Sequence, residues 1–318
     1  MKIHIVANLT ARGLRASGAR VRWLEELSRE AGCTLHETRH TGEVRAVMRR
    51  ALDDGAAMLV LAGGDGTFMN GVSALATELT SGGRWPRVAL LPLGTVGTIA
   101  RNLGERGRPE DLLRAWLTRP GEVHALPRPT LRVESVRGGA REERVGFIVG
   151  TGLVARFFEV YEARGAGGIP LAARIVARVF AGSFTGGALA RRILTPIPCA
   201  LAVDGRARHA RGLSLLSAAT VRDLGLGMKV CYRAGESPDK VHLVASSLPP
   251  ARLGKRAPLV IAGRSIGGED HVDELCASFE VRFPEGEPGP FVLDGDMFRA
   301  EALTVRPGPI VPIVGPRS

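Results

Sequence analysis

The sequence predicts two domains: a doubly wound parallel α/β domain at the N-terminus and an antiparallel β-sandwich domain at the C-terminus. Three observations lead there. Over residues 1–126, short apolar runs alternate with segments of helical period, the pattern of strands joined by crossover helices. Leu126-Pro127-Arg128-Pro129 then breaks that pattern with two prolines, each holding its predecessor extended, and reads as a stiff link. After it come short strand-like runs broken by Gly, Pro and charged turns, the spacing of an antiparallel sandwich or barrel. A chain of 318 residues can furnish two separate cores. The boundaries that follow are 1–126, with a tail at about 306–318 returning to this domain, and 127–305 for the second domain.

In the first domain Ile3–Ala7 reads as a strand, and Ala19–Ala31 as a helix with Val21, Leu24 and Leu27 at helical spacing. Cys33–Thr38 is the second strand, and Val44–Leu52 a helix stopped by Asp53-Asp54-Gly55. A strand at 57–62 runs into a helix at 68–80. The strand Val88–Pro92 follows, then a helix near 98–103, another over Pro109–Leu117 and a strand around Val123. Ligands of such sheets bind beyond the carboxyl ends of the strands. Three of those ends carry unusual residues: Asn8 with Thr10, Gly63–Thr67, and Gly94–Gly97.

In the second domain the strand-like runs are Thr130–Val136, Glu143–Val149, Ile197–Val203, Leu213–Ala218, Met228–Tyr232, Val241–Ala245, Leu259–Ala262, Ser278–Phe283, Phe291–Leu293 and Ala302–Val305. A helical insertion at about 171–194 interrupts them. It sets Ile175, Val176, Val179 and Phe180 against Arg174 and Arg178, then Arg191 and Arg192, and Gly186-Gly187 splits it in two. It suits a helix lying on an anionic membrane surface, and equally an amphipathic helix packed on the sandwich. Both readings stay open.

Forty-three basic against 32 acidic residues leave a net charge of +11, which favours anionic partners. With only 5% aromatic residues and no basic motif interleaved with stacking side chains, no nucleic-acid partner is expected. Cys33, Cys199, Cys231 and Cys276 stand far apart, so neither a disulfide framework nor a structural zinc site is expected. The chain enters its first strand almost at once, and a signal peptide is not expected. No uncharged apolar stretch approaches the ~20 residues that span a bilayer. The expected location is cytoplasmic, peripheral to the inner face of the membrane; the oligomeric state stays open.

The run Met58-Leu-Val-Leu-Ala-Gly-Gly-Asp-Gly-Thr67 carries the most chemistry. A buried strand that breaks into glycines before a helix presents backbone N–H groups and the positive helix end to an anion. Asp65 would repel a phosphate unless a cation lay between them, which points to a Mg²⁺-nucleotide. The plainer reading is a tight turn with Asp65 and Thr67 as capping residues. Gly-x-x-x-x-Gly-Lys-Ser/Thr is absent, as is Gly-x-Gly-x-x-Gly at this strand end. A second turn, Leu91-Pro-Leu-Gly-Thr-Val-Gly-Thr-Ile-Ala-Arg-Asn-Leu-Gly104, repeats the strand-to-glycine design 31 residues later, counted from Gly63 to Gly94.

Gly-Gly-Asp-Gly-Thr is shared by lipid kinases of the diacylglycerol kinase catalytic-domain family, by NAD kinases and more loosely by phosphofructokinases. The whole chain resembles the first of these. Asn8-Leu9 matches that family's strand-ending Asn-Pro, Thr38 with Thr41-Gly42 its Thr before a helix, and Pro92–Thr95 with Ala100–Gly104 its Pro-x-Gly-Thr and Ala-Arg-x-Leu-Gly. Gly146-Phe-Ile-Val-Gly-Thr-Gly152 and Leu293-Asp-Gly-Asp-Met297 resemble its later glycine turn and closing strand. The resemblance implies an ATP- and Mg²⁺-dependent kinase that phosphorylates a hydroxyl of diacylglycerol or of a ceramide or sphingoid lipid, with ATP between the domains.

By that resemblance Asn8, Thr10, Thr38, Gly63, Gly64, Gly66, Thr67, Gly94 and Thr95 bind ATP. Asp65 serves the metal or the phosphoryl site, Asp294 is the base, and Asp296 its partner or a metal ligand. Asp294 and Asp296, two apart on an expected strand, share a face; the plainer reading is a polar turn around Gly295. Asp204-Gly205 reads as a hairpin turn only. Asn70, Thr98 and Val154 stand where the family carries carboxylates, which marks either a divergent substrate class or an impaired enzyme. A soluble-metabolite kinase of the NAD kinase type and a non-catalytic nucleotide- or lipid-binding module are the alternatives.

Overall fold

The structure is a computed structural model that describes residues 1–79, 82–94, 97–165, 167–209, 212–268 and 270–315. The chain divides into two compact units, one of Met1–Arg128 with the segment from Pro309, the other Pro129–Gly308. The first unit opens β1 (Ile3–Asn8), α1 (Arg12–Arg15), α2 (Gly18–Glu30), β2 (Thr34–Thr38), α3 (Thr41–Asp53), β3 (Met58–Gly63) and α4 (Asp65–Glu78). It continues through β4 (Arg87–Pro92), α5 (Thr98–Asn102), α6 (Pro109–Thr118) and β5 (Ala125–Arg128). The second unit holds β6 (Leu131–Arg137), β7 (Ala140–Gly146), β8 (Ile148–Gly152), α7 (Leu153–Ala163), α8 (Gly168–Thr185), α9 (Ala188–Leu194), β9 (Ala200–Val203), β10 (Arg206–His209) and β11 (Leu215–Ala219). Then come β12 (Val241–Ser246), α10 (Pro250–Ile261), β13 (Val272–Cys276), β14 (Phe279–Arg282), β15 (Gly289–Leu293), β16 (Asp296–Ala300) and β17 (Ala302–Pro307). Finally β18 (Val311–Val314) returns to the first unit.

The sheet of the first unit runs β2-β1-β3-β4-β18-β5, parallel except for β5, which pairs antiparallel with β18. β3 is buried along its whole length, as its unbroken apolar run requires of a strand covered on both faces. On one face Leu24 and Leu27 of α2 and Leu113 and Trp116 of α6 pack on Ile3, Ile5, Met58, Val60 and Leu91. On the other, α4 comes so close that a Cβ on Gly71 would lie 2.6 Å from Leu61 Cδ1. The sheet is therefore doubly wound.

The second unit contains two six-stranded antiparallel sheets, ordered β10-β9-β14-β17-β6-β7 and β13-β12-β11-β8-β15-β16. The run Glu143–Val149, expected as one strand, passes between them. It pairs with β6 up to Gly146 and with β11 from Ile148. A layer of α7, α8, α9 and α10 packs on the second sheet through Val160, Ile175, Ala190, Ile193 and Leu253 against Leu215 and Val244.

Four expectations are corrected. The two-proline link is half strand: Ala125–Arg128 is edge strand β5, where Pro127, which cannot donate, is tolerated. Leu259–Ala262 is the end of helix α10, which begins with Pro250 in its first turn, where a missing N–H does no harm. Its interior Pro258 lies in the last turns of the helix and removes one backbone N–H donor there. Met228–Tyr232 forms turns that bury Cys231, not a strand. Leu153–Ala163, left without an element after the glycine turn, is α7.

Candidate functional site

The site of the first unit is built where β1, β2 and β3 end. Asn8, the last residue of β1, donates from Nδ2 to Thr67 Oγ1 at 3.0 Å. Its Oδ1 accepts from the Thr10 backbone N at 3.0 Å and from Thr10 Oγ1 at 2.7 Å. The Asn8 amide thus ties the loop after β1 to the first turn of α4. Thr38, ending β2, is buried and donates from Oγ1 to the Ala7 carbonyl at 3.3 Å. Asn8, Thr10, Thr38 and Thr67 line one recess, together with Arg39, His40, Thr41 and Asn70. Arg39 and His40 were not singled out by sequence. Their signal was Glu43, whose carboxylate accepts both of their backbone N–H groups, at 2.7 and 3.3 Å, and fixes the turn into α3.

The two glycine turns lie against each other. A Cβ on Gly94 would sit 2.5 Å from Gly64 Cα, and one on Gly63 would collide with the Thr67 side chain. The Leu93 N–H donates to the Gly63 carbonyl at 2.7 Å. The glycines at 63 and 94 are therefore required by packing even before any ligand is considered. Gly66 follows Asp65 in the first turn of α4. Thr95, expected among the ATP-binding residues, lies outside the described residues.

Asp65 occupies the first turn of α4 but serves another helix. Its carboxylate accepts the Thr98 backbone N–H at 2.9 Å and the Ile99 N–H at 3.1 Å. The N-cap of α5 is Gly97, in the left-handed region at φ 61°, with no side chain to cap the helix. Asp65 supplies that cap from the neighbouring turn. Burial pushes its carboxyl above the ordinary range, opposed by the Ile99 and Thr98 N–H groups and by the charge of Arg101. The N-terminus of α4 differs: its N-cap Gly64 makes no side-chain cap. Of the two glycine turns, the first thus keeps its helix end open toward an anion and the second is closed by Asp65.

In the second unit, Asp294-Gly295 is the two-residue turn of the β15–β16 hairpin, with φ 48° and 95°. Asp294 therefore does not share a strand face with Asp296, which starts β16; the alternation argument fails because the turn intervenes. Asp294 is buried. Its backbone N–H donates to the Ile148 carbonyl at 2.9 Å. Its Oδ1 accepts from the Ile148 N–H at 2.8 Å and from the Phe147 N–H at 3.0 Å, the latter shared with Oδ2. Gly146 makes room for this, since a Cβ there would lie 2.7 Å from Asp294 Oδ2. Asp204-Gly205 repeats the device between β9 and β10: φ 46° and 76°, the Asp204 N–H on the Ser278 carbonyl at 3.0 Å, and the Ser278 N–H on Asp204 Oδ1 at 2.8 Å. The difference is burial, for Asp204 is exposed.

Among the described residues no group of three or more His, Cys, Asp or Glu is arranged to hold a metal. Asp65 already gives each carboxylate oxygen to an N–H. The described residues offer no built cage for Mg²⁺, and such an ion would depend on nucleotide phosphates for most of its ligands.

Strands β1 to β4, the uncapped α4 terminus and the Asn8–Thr67 tie all lie within one segment that is recognisable by sequence. Residues 2–124 match the diacylglycerol kinase catalytic domain. The resemblance read from the motifs is thereby shown for that segment. The chain is also 38% identical over 98 residues to the "probable lipid kinase YegS-like" of two strains of Pseudomonas aeruginosa, a match covering 30% of this chain and 31% of those proteins. Among solved structures, a diacylglycerol kinase from Bacillus anthracis superposes with a TM-score of 0.60 at 12% identity, over 99% of this chain and 97% of that one. Yeast NADH kinase with NADH superposes at 0.53 and 10% identity, over 100% and 84%. At such identities these two likenesses establish the fold of the whole chain.

Proposed function

We propose that the protein is an ATP-dependent lipid kinase that transfers the γ-phosphate to a free hydroxyl of diacylglycerol or of a ceramide or sphingoid lipid. The observation that carries this reading is the uncapped N-terminus of α4 beside the Asn8–Thr67 tie, within a segment matching the diacylglycerol kinase catalytic domain. In this reading the N–H groups at Gly64–Thr67 and the Thr67 hydroxyl orient the phosphates, and Asn8 holds Thr67 in place. Thr38 and Thr10 shape the recess beside them. Asp65 fixes the second glycine turn, at Gly94, against the first. Asp294, oriented by the Phe147 and Ile148 N–H groups, takes the acceptor hydroxyl proton. A Mg²⁺ held chiefly by the nucleotide's own phosphates would supply charge neutralisation there.

The test is transfer of label from γ-labelled ATP with Mg²⁺ to diacylglycerol, ceramide or sphingosine in mixed micelles, with NAD as a soluble acceptor. Labelled lipid supports the proposal, and label on NAD favours the NAD kinase reading, whose fold likeness is on record above. ATP binding without label on any acceptor favours the non-catalytic module. That reading draws on one observation: Asp65 and Asp294 both spend their oxygens on backbone N–H groups.

A further inference from the structure

Helix α8 carries apolar residues on its outer side as well as its inner one. Its inner side contributes Ala172 and Ile175 to the core of the helical layer, with Leu171 and Val179 packed against it. A surface helix should then turn a polar face to water. Here Ile169, Ala173, Ala177, Phe180 and Phe184, spaced three or four apart, are all exposed and all apolar. Ile169 is 38% exposed, Phe180 42% and Phe184 47%. The two phenylalanines pack edge to face, ring centroids 5.2 Å apart, and present one apolar knob near the end of the helix. At a rise of 1.5 Å per residue the stripe runs for roughly 22 Å.

The charge around the stripe has one sign. No Asp or Glu occurs between Glu162 and Asp204, or between Asp239 and Glu269. The helices α8, α9 and α10 therefore carry cations alone: Arg174, Arg178, Arg191, Arg192, Arg252 and Lys255 are all exposed. Among the described residues none of these six is ion-paired, whereas arginines of the β-sheets commonly are, such as Arg132 with Glu143 and Arg208 with Glu274. Helix α10 is held tightly to α8, since a Cβ on Gly254 would collide with Ser183. A second copy of this surface would meet its own charge, so self-association through it is disfavoured. No helix among the described residues is long and apolar enough to cross a membrane.

We infer that the α8–α9–α10 face docks onto an anionic lipid leaflet, with Phe180 and Phe184 entering the interface and the surrounding arginines and Lys255 engaging lipid phosphates. Of the two readings the sequence left open, Ile175 and Val179 follow the packed one, on the core side, while Phe180 stands exposed with Phe184 and Ile169. The inference deepens the lipid-kinase reading, on which it rests only for the reason a membrane is visited; its evidence lies wholly in the second unit.

The test is co-sedimentation of the full chain with phosphatidylcholine vesicles, with and without phosphatidylglycerol. Wild type should bind the anionic vesicles and release at high salt. Phe180→Ser with Phe184→Ser should weaken binding roughly tenfold or more. Arg174→Gln with Arg178→Gln should weaken it roughly tenfold and flatten the salt dependence. All four residues are exposed, so unchanged thermal midpoints are expected. Absence of vesicle binding by wild type overturns the inference, as does binding undiminished in both variants. Concentration-dependent dimerisation abolished by the phenylalanine changes, with vesicle binding intact, overturns it in favour of a self-interface. Vesicle binding without phosphoryl transfer counts against the kinase reading alone. Transfer to detergent-dispersed lipid without vesicle binding counts against the docking face alone.

Discussion

Replacing Asp65 by alanine should destabilise the first unit whether or not a nucleotide is present. The carboxylate is the acceptor for two backbone N–H groups at the start of α5, at 2.9 and 3.1 Å, and Gly97 offers no substitute. Leaving a donor without its acceptor in a desolvated place costs about 1–3 kcal/mol, and losing an N-cap costs about 0.5–2 kcal/mol. These describe the same bonds and are not added, so the expected loss is about 1–3 kcal/mol. At roughly 2–4 °C per kcal/mol for a unit of this size, the midpoint should fall by roughly 2–12 °C. Asp65→Asn keeps one acceptor oxygen and turns an amide NH₂ toward the other donor, so about half that loss is expected. The assay is unusually clean, because Trp23, Trp85 and Trp116 all lie in the first unit and tryptophan fluorescence reports its unfolding alone. The pH dependence has a defined sign. With its carboxyl raised by burial, the folded unit holds a proton that the unfolded chain releases at the ordinary carboxylate pKa near 4. That contribution to stability is full below this value and is lost as pH rises through the raised one, and Asp65→Asn should remove the slope. An Asp65→Ala protein melting with wild-type behaviour in the absence of ligand would refute the capping role and return Asp65 to a purely ligand-directed one.

The remaining predictions concern the neighbouring residues and the second unit. Glu105 is buried, and desolvation raises its carboxyl to about 7, so stability should decline between about pH 4.5 and 7. Glu105→Gln should leave the melt at pH 4 unchanged and raise stability at pH 8 by about 2 kcal/mol after allowance for partial solvent access; equal effects at both pH values would contradict this. Gly94→Ala should destabilise by about 1–3 kcal/mol, because its Cβ meets Gly64 Cα at 2.5 Å. Gly64→Ala meets only Gly94 Cα, at an ordinary 3.5 Å, and denaturant midpoints should rank the two variants in that order. Asp294→Asn should lower stability more than Asp204→Asn, since the buried carboxylate accepts from two backbone N–H groups and the exposed one from a single N–H. If Asp294 is the base, only its variant loses transfer, by roughly 10²-fold or more; equal rates in the two would remove it from that role.

Most of the first unit was legible because its signals are local. The central strands of the doubly wound sheet, Met58–Gly63 and Arg87–Pro92, are near-continuous apolar runs, and the crossover helices announce themselves by period and by a stop such as Asp53-Asp54-Gly55. The second unit was less legible, since an antiparallel strand can change sheets without changing composition, as Glu143–Val149 does at Gly146. The segment Leu259–Ala262 misled for a related reason. Four apolar residues after a proline satisfy a strand and a buried helix end equally well, and the packing of α10 on α8 decides between them.

The chemistry divides along the same line. The sequence by itself determined the two glycine turns, the order of the motifs and the residues gathered at the strand ends, because glycines directly after a buried apolar run mark where the strand stops and the backbone can turn and pack closely. It also determined the acid-free helical insertion, a property of composition. Only the tertiary structure decided what Asp65 touches, since its partners Thr98 and Ile99 are more than thirty residues away and meet it through the parallel pairing of β3 with β4. It likewise decided that Asp294 lies in a turn, and that Phe180 and Phe184 face outward while Ile175 faces in. Hydrophobic periodicity marks which residues share a helix face, but a neighbouring sheet is needed to choose which face is covered.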